Sequence, residues 1–433
     1  MVYRNATQRS TFVGDPMKNH QIVVIGSGPA ALSVAVSLVE TGVSVSIVAP
    51  DPFAAWVPNY GGWADQFPDD FAKNYFQQTY AAPCVRLSGS GGASERVLRG
   101  RYARIHKTKL QESYLSTLKE HAVSFFDTKV STIESEGKKD HLQLESGQVL
   151  TADLVIDASG ANSSFVQKQG KGKEAYQLAY GQTIQTKPHG FRCGEMRFMD
   201  FTPLQDNENI ATFLYAMPLS HDTLFVEETV LATRQQVSFD FLKARLEMRL
   251  EQEGIDVTGV LDEEFCKIPL GLPLPKGQQR VIPFGAAASM VHPASGYLFS
   301  RVIATAPEIA KHIAANLGQQ PKAELLKAVL NIIWPSSRRR TRELYMIGLE
   351  MLTRMDPKRN RDFFNAFFEL PLESWRGFLD DTLTPYELGL TMSKMFALSK
   401  TGLRFSLVHN TVSHASEHLF KAVSPSFTRK ERC

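Results

Sequence analysis

The hydrophobic pattern of the chain changes twice along its length. The first part carries short, uncharged, β-branched runs at 21–25 and 43–48, separated by an apolar segment of helical length at 32–40. From about 180 to 266, apolar and polar residues alternate in strand-length runs, which predicts an antiparallel sheet. From Ala323 the apolar residues recur at helical spacing, so a helical C-terminal region rich in Phe and Met is predicted.

The turn between the first strand and the first helix has a pattern typical of dinucleotide binding. It reads Gly26-Ser27-Gly28-Pro29-Ala30-Ala31. Gly26 permits a tight turn, Gly28 lets the backbone approach a pyrophosphate, and the small Ala31 allows close packing of helix on strand. The second strand, however, is followed by Val48-Ala49-Pro50-Asp51, so the acidic residue expected near the ribose is late or missing.

Two later runs repeat the strand-and-small-turn pattern. One is 154–160, which contains Asp157 and Gly160, and the other is 280–288, which contains Gly285 and leads through Gly296-Tyr297 to a helix at 300–316. Flavoproteins of the glutathione-reductase type assemble their FAD domain from such separated pieces. The predicted fold is therefore α/β, with a Rossmann-like FAD-binding domain at 20–180 and 280–320, an antiparallel substrate sheet at 181–279 and a helical region at 321–433.

Two adjacent acids, Glu227 and Glu228, lie inside an otherwise apolar run that favours a β-strand. A buried carboxylate without a partner costs several kcal/mol, so such a group is paired, hydrogen-bonded or protonated. A protonated carboxyl in a dry site is a strong general acid. Because side chains alternate along a strand, one of the two acids points inward, while the other is either on the far side of the sheet or an ordinary surface charge.

Composition and charge narrow the remaining possibilities. The net charge of +3 over 433 residues gives no reason to expect a nucleic-acid partner, although Arg338 to Arg340 and Arg342 form a local basic cluster. The four cysteines are far apart, without metal-ligand spacing, which argues against a disulfide scaffold and a zinc site. No apolar run reaches the roughly 18 residues of a membrane-spanning helix, and no secretion signal is evident, so an intracellular protein with at most peripheral membrane contact is expected.

Many further motifs occur in order along the chain. They include Pro58-Asn59-Tyr60-Gly61, Arg101-Tyr102-Ala103-Arg104, Tyr176-Gln177-Leu178-Ala179-Tyr180-Gly181, Phe198-Met199-Asp200, Phe225-Val226-Glu227-Glu228-Thr229, Ile268-Pro269-Leu270-Gly271, Met290-Val291-His292-Pro293 and Trp375-Arg376-Gly377-Phe378-Leu379. In these residues the chain resembles the flavin-dependent lycopene cyclases of cyanobacteria and plastids. It departs from that family at Gln66, Val226, Arg101 and Ala103, where an acidic residue, Leu, Pro and Gly are usual. These departures leave the fold untouched and concern ring specificity and the detailed substrate.

The resemblance implies a proton-initiated cyclisation of the linear ψ end groups of lycopene to β-ionone rings, with no net redox change. Glu228 and Glu227 are the candidate acids, with a preference for Glu228, and Asp200 either orients the acid, acts as a base or caps a turn. Reduced FAD would stabilise the cation, and NAD(P)H would be the upstream electron source. The expected cofactor contacts are Gly26, Ser27, Gly28, Pro29, Ala30, Ala31, Arg104, Asp157, Gly160, Gly285, Met290, His292, Gly296 and Tyr297.

Two further expectations concern the substrate wall and the membrane. Tyr215, Tyr297 and Trp63 could shield a cation with their π faces, although aromatic residues in such runs also serve simply as core. Lycopene lies in the bilayer, so the C-terminal helices are predicted to dock there, with Phe residues below the headgroups and the arginine cluster facing anionic lipid. The alternative is that these helices only cover the FAD domain.

Other functions remain open on this fold. An ε-ring cyclase, an enzyme that opens epoxides of oxygenated carotenoids, and an FAD-dependent monooxygenase or prenyl reductase would all share the three cofactor pieces. Neither the monooxygenase nor the prenyl reductase needs the Glu227-Glu228 pair. A non-catalytic carotenoid carrier would have little reason to keep it.

Overall fold

The computed structural model describes residues 20–89, 92–170, 172, 174–192, 194–204, 210–410 and 415–423. The strands within them are β1 His20–Ile25, β2 Val45–Ala49, β3 Gly61–Trp63, β4 Phe76–Tyr80, β5 Ala82–Gly89, β6 Gly92–Val97, β7 Tyr102–Ile105, β8 Ser124–Asp127, β9 Val130–Glu136, β10 Lys139–Leu144, β11 Val149–Asp157, β12 Ala175–Thr186, β13 Glu195–Asp200, β14 Phe213–Pro218, β15 Thr223–Thr233, β16 Val257–Leu270 and β17 Ile282–Pro283. The helices are α1 Pro29–Val39, α2 Asp69–Tyr75, α3 Lys107–Glu120, α4 Phe239–Gln252, α5 Phe299–Asn316, α6 Lys322–Ile333, α7 Ser336–Leu352, α8 Pro357–Phe368, α9 Leu372–Asp380, α10 Pro385–Leu398, α11 Thr401–Asn410 and α12 Ser416–Val423.

The first sheet has the order β8-β2-β1-β11-β10-β9, and the short β17 pairs with β11. Its centre is parallel: Ile22 of β1 lies opposite Val45 of β2 and Leu154 of β11. Such strands are buried on both faces, which explains their continuous apolar sequence. Helices α1, α3, α5 and α6 share one core with this sheet. This arrangement confirms the predicted α/β class, although the third piece contributes a strand of only two residues.

The second sheet has the order β16-β12-β15-β14-β13-β5-β6 and is antiparallel except for the β13–β5 pair. Strands β5 and β6 come from inside 20–180, and β12 begins at Ala175, so the sheet recruits residues that the sequence boundaries assign to the FAD-binding domain. The register forms one cross-strand row in which Glu264 of β16, Gly181 of β12, Glu227 of β15 and Tyr215 of β14 are neighbours. This row faces the site described below.

The second sheet has helices on both faces. Helix α4 packs against one face, where Val226 and Leu246 share a buried cluster. The C-terminal helices pack near the other face, where Phe225 and Phe363 share a different cluster. A small third sheet has the order β3-β7-β4, and its residues Gly61 and Tyr102 line the cavity described below. In the part of the chain that the structure describes, no helix is both long and apolar enough to cross a membrane.

Candidate active site

One large cavity, of about 1300 Å³, extends from the first glycine turn to the C-terminal helices. This exceeds the usual range of roughly 300–1000 Å³ for a single small-molecule site. One part is lined by the turn after β1, the end of β2 and the loop after β11, and another by aromatic residues of the second sheet and of α8. The cavity therefore has room for a dinucleotide and for a long apolar molecule.

The turn after β1 has the geometry that a pyrophosphate needs. Gly26 has a φ of +111°, and a Cβ atom there would lie 2.7 Å from the carbonyl oxygen of Ala158. Gly28 precedes α1 as its N-cap residue, Pro29 opens the helix, and no atom lies within 4 Å of a Cβ built on Gly28. The open space in front of the helix N-terminus, where unpaired N–H groups point outward, fits the phosphates of a dinucleotide.

The second nucleotide piece is held together by Asp157. Its carboxylate accepts hydrogen bonds from the Ser159 backbone N–H at 3.0 Å, the Ser159 hydroxyl at 2.6 Å and the Ser163 hydroxyl. Asp157 is fully buried and does not line the cavity, whereas the loop that it orients does. Gly285 of the third piece lies against Ala30, since a Cβ on Gly285 would be 2.6 Å from the Ala30 Cβ. Asp157 and Gly285 thus shape the site from outside its lining.

His292 has a similar supporting position. It is buried outside the cavity lining, and its Nδ1 accepts from the backbone N–H groups of Ala294 at 3.2 Å and Ser295 at 3.1 Å. Burial lowers the pKa of His292 to about 4, so the ring stays neutral near pH 7. The turn that it holds carries Gly296 and Tyr297 into the lining.

Eight of the predicted cofactor residues line the cavity and six do not. The lining residues are Gly26, Ser27, Gly28, Pro29, Ala30, Gly160, Gly296 and Tyr297. Outside the lining are Ala31, Arg104, Asp157, Gly285, Met290 and His292, whose direct contact with a cofactor stays a prediction. Arg104 instead donates to the side-chain oxygens of Asn59 at 2.8 Å and Gln77 at 2.7 Å.

The two adjacent acids point to opposite faces of the second sheet. Glu227 lines the cavity and accepts a hydrogen bond from the Thr229 hydroxyl at 2.7 Å. Burial, reinforced by the nearby carboxyl of Glu264, raises the pKa of Glu227 to about 8. At pH 7 this carboxyl therefore holds its proton and can donate it.

Glu228 lies on the other face, beneath α4. It is fully buried, its Oε2 accepts from Nε of Arg249 at 2.8 Å, and its Oε1 lies 3.7 Å from Nε of Arg245. It also accepts from the Thr212 hydroxyl. Glu228 is thus an ion-paired carboxylate on the face of the sheet away from the cavity, whereas Glu227 is the acid of the pair that lines it.

Asp200 is also outside the cavity. It is buried at the end of β13, where it accepts from the backbone N–H of Thr202 at 2.8 Å and from its hydroxyl at 2.6 Å, while Arg86 lies 3.4 Å away. This is the turn-capping alternative.

Sequence reasoning missed a second carboxyl group in the cavity, Glu264. It lies across Gly181 from Glu227, and its Oε2 accepts from the Asn59 backbone N–H at 2.8 Å. Burial raises the pKa of Glu264, and the two carboxyl groups interact directly. The available signal was the strand-interior glycine, which marks a place where neighbouring groups approach closely.

A cluster of tyrosines adjoins the acid. Tyr102, Tyr215 and Tyr297 all line the cavity, and Tyr102 interacts through its hydroxyl with the other two. Burial raises the pKa of each phenol, so they stay protonated. Trp63 packs 5.4 Å from the Tyr102 ring but is not part of the lining, so of the predicted shielding residues only the two tyrosines reach the cavity.

The predicted membrane-facing residues are mostly inside the protein. Phe363, Phe364, Phe367 and Phe368 of α8 are buried and line the cavity. Arg339 and Arg342 are buried, with the Arg342 guanidinium on the carbonyl oxygen of Leu272 at 2.5 Å. Arg338 pairs with Asp381 at 3.3 Å, and Arg340 donates to the carbonyl of Ala422 at 2.8 Å. The arginines of this cluster therefore all have partners within the protein.

Comparison with known proteins agrees with this arrangement. The family model described as lycopene cyclase protein matches residues 21–404. The lycopene beta cyclase of Synechococcus elongatus is 35% identical over 395 residues, covering 89% of this chain and 95% of the relative. The chloroplastic neoxanthin synthase of Solanum lycopersicum is 34% identical over 409 residues, covering 91% of this chain and 82% of the relative.

Among solved structures, Klebsiella pneumoniae HpxO complexed with FAD and uric acid resembles this chain with a TM-score of 0.57 at 16% identity, covering 84% of this chain and 96% of that one. At such low identity the likeness concerns the fold alone, and it confirms the predicted flavoprotein fold. The specific assignment comes from the family model and the relatives, which extend over nearly all of the sequence. The chain therefore belongs to the lycopene cyclase family.

Proposed function

We propose that this protein cyclises the linear end groups of lycopene to β-ionone rings, with Glu227 as the acid. One observation carries the proposal: a carboxyl group that holds its proton at neutral pH lines a large, mainly apolar cavity, which continues to a dinucleotide-binding turn. A strong acid in a dry cavity is what protonation of an isolated double bond requires. The relatives named lycopene beta cyclase support the substrate.

The reaction conserves atoms and electrons. The Glu227 O–H bond breaks as a C–H bond forms at the terminal double bond, which leaves a tertiary carbocation on the substrate. A neighbouring double bond attacks this cation to form the ring C–C bond. Loss of a proton from the ring to a carboxylate then restores a double bond and the acid.

FAD is proposed as the resident cofactor because the Gly26–Ala158 contact and the open space at Gly28 fit its phosphates. When bound in its reduced form, the flavin supplies negative charge that favours the cation. NAD(P)H would serve only as the electron source. The protein would hold the cofactor through the residues of the loop that Asp157 orients and of the turn that His292 supports.

The tyrosine cluster is proposed to form the cation-tolerant wall. Tyr215 is the cross-strand neighbour of Glu227, so its ring lies beside the proton donor. Aromatic faces attract a cation by roughly 0.5–2 kcal/mol, and protonated phenols carry no charge that would quench it. Phe198 packs 5.5 Å from Tyr102 and extends the same aromatic surface.

Helix α10 is the proposed membrane contact in place of the arginine cluster. Its side chains Tyr386, Leu390, Phe396 and Leu398 are exposed, with Tyr386 at 74%. A small cavity of about 240 Å³ beneath α10 shares Phe363, Phe367 and Phe378 with the main cavity. An apolar substrate could therefore pass from a bilayer at α10 to the acid without entering water.

The proposal is tested by expressing the chain in a bacterium that accumulates lycopene and separating the pigments. β-Carotene or γ-carotene is the expected product, and Glu227→Gln is expected to abolish it while the purified protein keeps its flavin. Glu263→Gln is the matched control, because Glu263 is the neighbour of Glu264 on the opposite face of β16 and is half-exposed. Unchanged lycopene with folded, flavin-loaded wild-type protein would refute the proposal.

Membrane contact is tested with phosphatidylcholine vesicles. The double variant Leu390→Asp/Phe396→Asp should reduce vesicle binding by about tenfold or more, since each buried apolar side chain contributes roughly 1.5–3 kcal/mol. Leu261→Asp is the control, because Leu261 is even more exposed, at 59% against 43% for Leu390, but lies on β16. Equal loss in both variants, or no loss in either, would contradict α10 as the docking surface.

A second candidate is supported by the relatives, since a neoxanthin synthase matches this chain about as well as a lycopene beta cyclase does. The same acid could protonate an epoxide oxygen of an oxygenated carotenoid end group. Supplying such a carotenoid to a strain in which lycopene is unchanged distinguishes the two functions.

A further inference from the structure

We propose that Glu264 is a positioning residue that forms a proton-sharing carboxyl pair with Glu227 across Gly181, so that the pair holds one proton in the cavity wall. The acid role of Glu227 in this pair rests on the proposed function. The existence of the pair does not, because it follows from the geometry of the second sheet.

The register brings the two carboxyl groups together. Gly181 of β12 pairs with Glu227 on one side and with Glu264 on the other, so both side chains leave the sheet on the cavity face. Adjacent strands are about 4.8 Å apart, and a side chain on the middle strand would ordinarily separate them. Gly181 has none: a Cβ there would lie 2.9 Å from Cγ of Glu264 and 3.1 Å from the Phe225 ring.

The surroundings decide which carboxyl holds the proton. Glu264 receives the Asn59 N–H, which favours its charged form, and Asn59 is itself held by Arg104. Glu227 receives only a hydroxyl, from Thr229. Their interaction raises the pKa of Glu227 and opposes the rise at Glu264, so Glu227 is the protonated member.

The other groups near the pair do not supply a full counter-charge to Glu227. The titratable and charged groups that influence the pair from the elements packed against it are Tyr60, Tyr102, Arg104, Lys107, Tyr215 and Cys266. The two cations act on Glu264, and burial raises the pKa of each tyrosine and of Cys266, so these groups stay neutral. The pair is the acidic centre of this wall.

Proton sharing has a consequence for the chemistry. When Glu227 gives its proton to the substrate, the pair becomes doubly negative at the moment when the carbocation forms. The second negative charge is therefore present only while the positive charge of the substrate is there to stabilise it. This favours the transition state over the ground state. The proton that the ring later loses returns to the pair, and its single-proton state is restored.

The first test is a pH profile of the flavin-loaded protein with lycopene in vesicles and the flavin kept reduced. Without the Glu264 charge, Glu227 loses its proton more easily, so Glu264→Gln should move the alkaline limb of the rate to lower pH by about one unit or more. Glu263→Gln should leave the limb in place. A merely structural role would lower the rate without moving the limb, and a limb that coincides with that of the wild type would overturn the proposal.

Gly181→Ala tests the same contact from the middle strand. Its methyl group would push Glu264 away from Glu227, and the limb should move in the same direction as in Glu264→Gln. If this variant fails to accumulate, the Glu264→Gln profile and the infrared test below still decide the question.

A readout independent of activity is the infrared C=O band of a protonated carboxyl group in the holoenzyme. Between pH 6 and pH 10 a band should disappear in the wild type, be absent from Glu227→Gln, and disappear at lower pH in Glu264→Gln. Absence of such a band in the wild type would refute the pair. If the band behaves as expected but lycopene is not cyclised, the pair stands and the proposed function fails.

Discussion

Neutralising the two adjacent acids separately should have opposite effects, although they are neighbours on one strand. Glu228→Gln removes the carboxylate that faces Arg249 at 2.8 Å and Arg245 at 3.7 Å, both of which stay buried beneath α4. Breaking a buried ion pair on one side costs about 3–5 kcal/mol. Glu227→Gln replaces a protonated carboxyl by a neutral group of the same shape and removes the cost of protonating Glu227 on folding at pH 7, so this variant should be at least as stable as the wild type.

These energies convert to measurable changes in melting temperature. An unfolding entropy of about 2.1 cal/mol/K per residue gives roughly 0.9 kcal/mol/K for this chain, so Glu228→Gln should lower the Tm by about 3–6 °C. Glu227→Gln should not lower the Tm at pH 7, and should raise it if anything, but it should lower the cyclisation rate by about 10²–10⁴ or more, the usual contribution of a general acid. The assay is the Tm together with the initial rate per bound flavin, measured on the same preparations.

The comparison can fail in two ways. If Glu228→Gln keeps its Tm but loses the rate per flavin, then Glu228 takes part in the chemistry and the assignment of faces is refuted. If Glu227→Gln melts several degrees lower, then its carboxyl is a structural group. Glu263→Gln should leave the rate per flavin unchanged, because Glu263 lies on the face of β16 away from the cavity, where it pairs with Lys243 and accepts from the Tyr180 hydroxyl.

Two further predictions concern the cofactor and pH. Gly26→Ala should lower both stability and flavin content, because its Cβ would lie 2.7 Å from the Ala158 carbonyl oxygen at a φ of +111°. Gly28→Ala should keep the stability of the cofactor-free protein and lose only flavin, because no atom lies within 4 Å of its Cβ. Equal Tm values for the two cofactor-free variants would contradict this prediction. The raised pKa of Glu227, about 8, means that its contribution to stability is full below the unfolded pKa of about 4.3 and is lost as pH rises through 8. Denaturant unfolding between pH 5 and 9 should show this loss in the wild type and less of it in Glu227→Gln.

The sequence was sufficient for the dinucleotide half of the site. The spacing of Gly26 and Gly28 after a β-branched strand has one common structural solution, and the structure has that turn. The six supporting residues could not be separated from the lining residues, because a buried Asp157 and a cavity-facing Gly160 occur in the same run. Distance from a cavity depends on how separate pieces pack, which no local pattern encodes.

For the acids, strand alternation predicted that the two side chains diverge, and they do. It could not predict which faces the cavity, because Phe225 and Val226 make both faces equally apolar. The face that each acid takes is determined by residues outside the strand. Arg245 and Arg249 of α4 lie one helical turn apart, and both contact Glu228. Similarly, the helical spacing of apolar residues from Ala323 onward predicted helices there, but it did not predict that Trp334 and Leu272 would offer carbonyl oxygens to Arg339 and Arg342.

No sequence motif pointed to Glu264, because its proximity to Glu227 depends on Gly181, a residue without a side chain. A glycine in the middle of a strand weakens that strand, since it loses more conformational freedom on folding and packs nothing. Gly181 has this destabilising position in β12, between Glu227 of β15 and Glu264 of β16, where a larger side chain would keep the two carboxyl groups apart. In an antiparallel sheet, a buried glycine flanked by carboxyl groups on both neighbouring strands therefore predicts a shared proton, and the registers of β12 with β15 and β16 provide this arrangement.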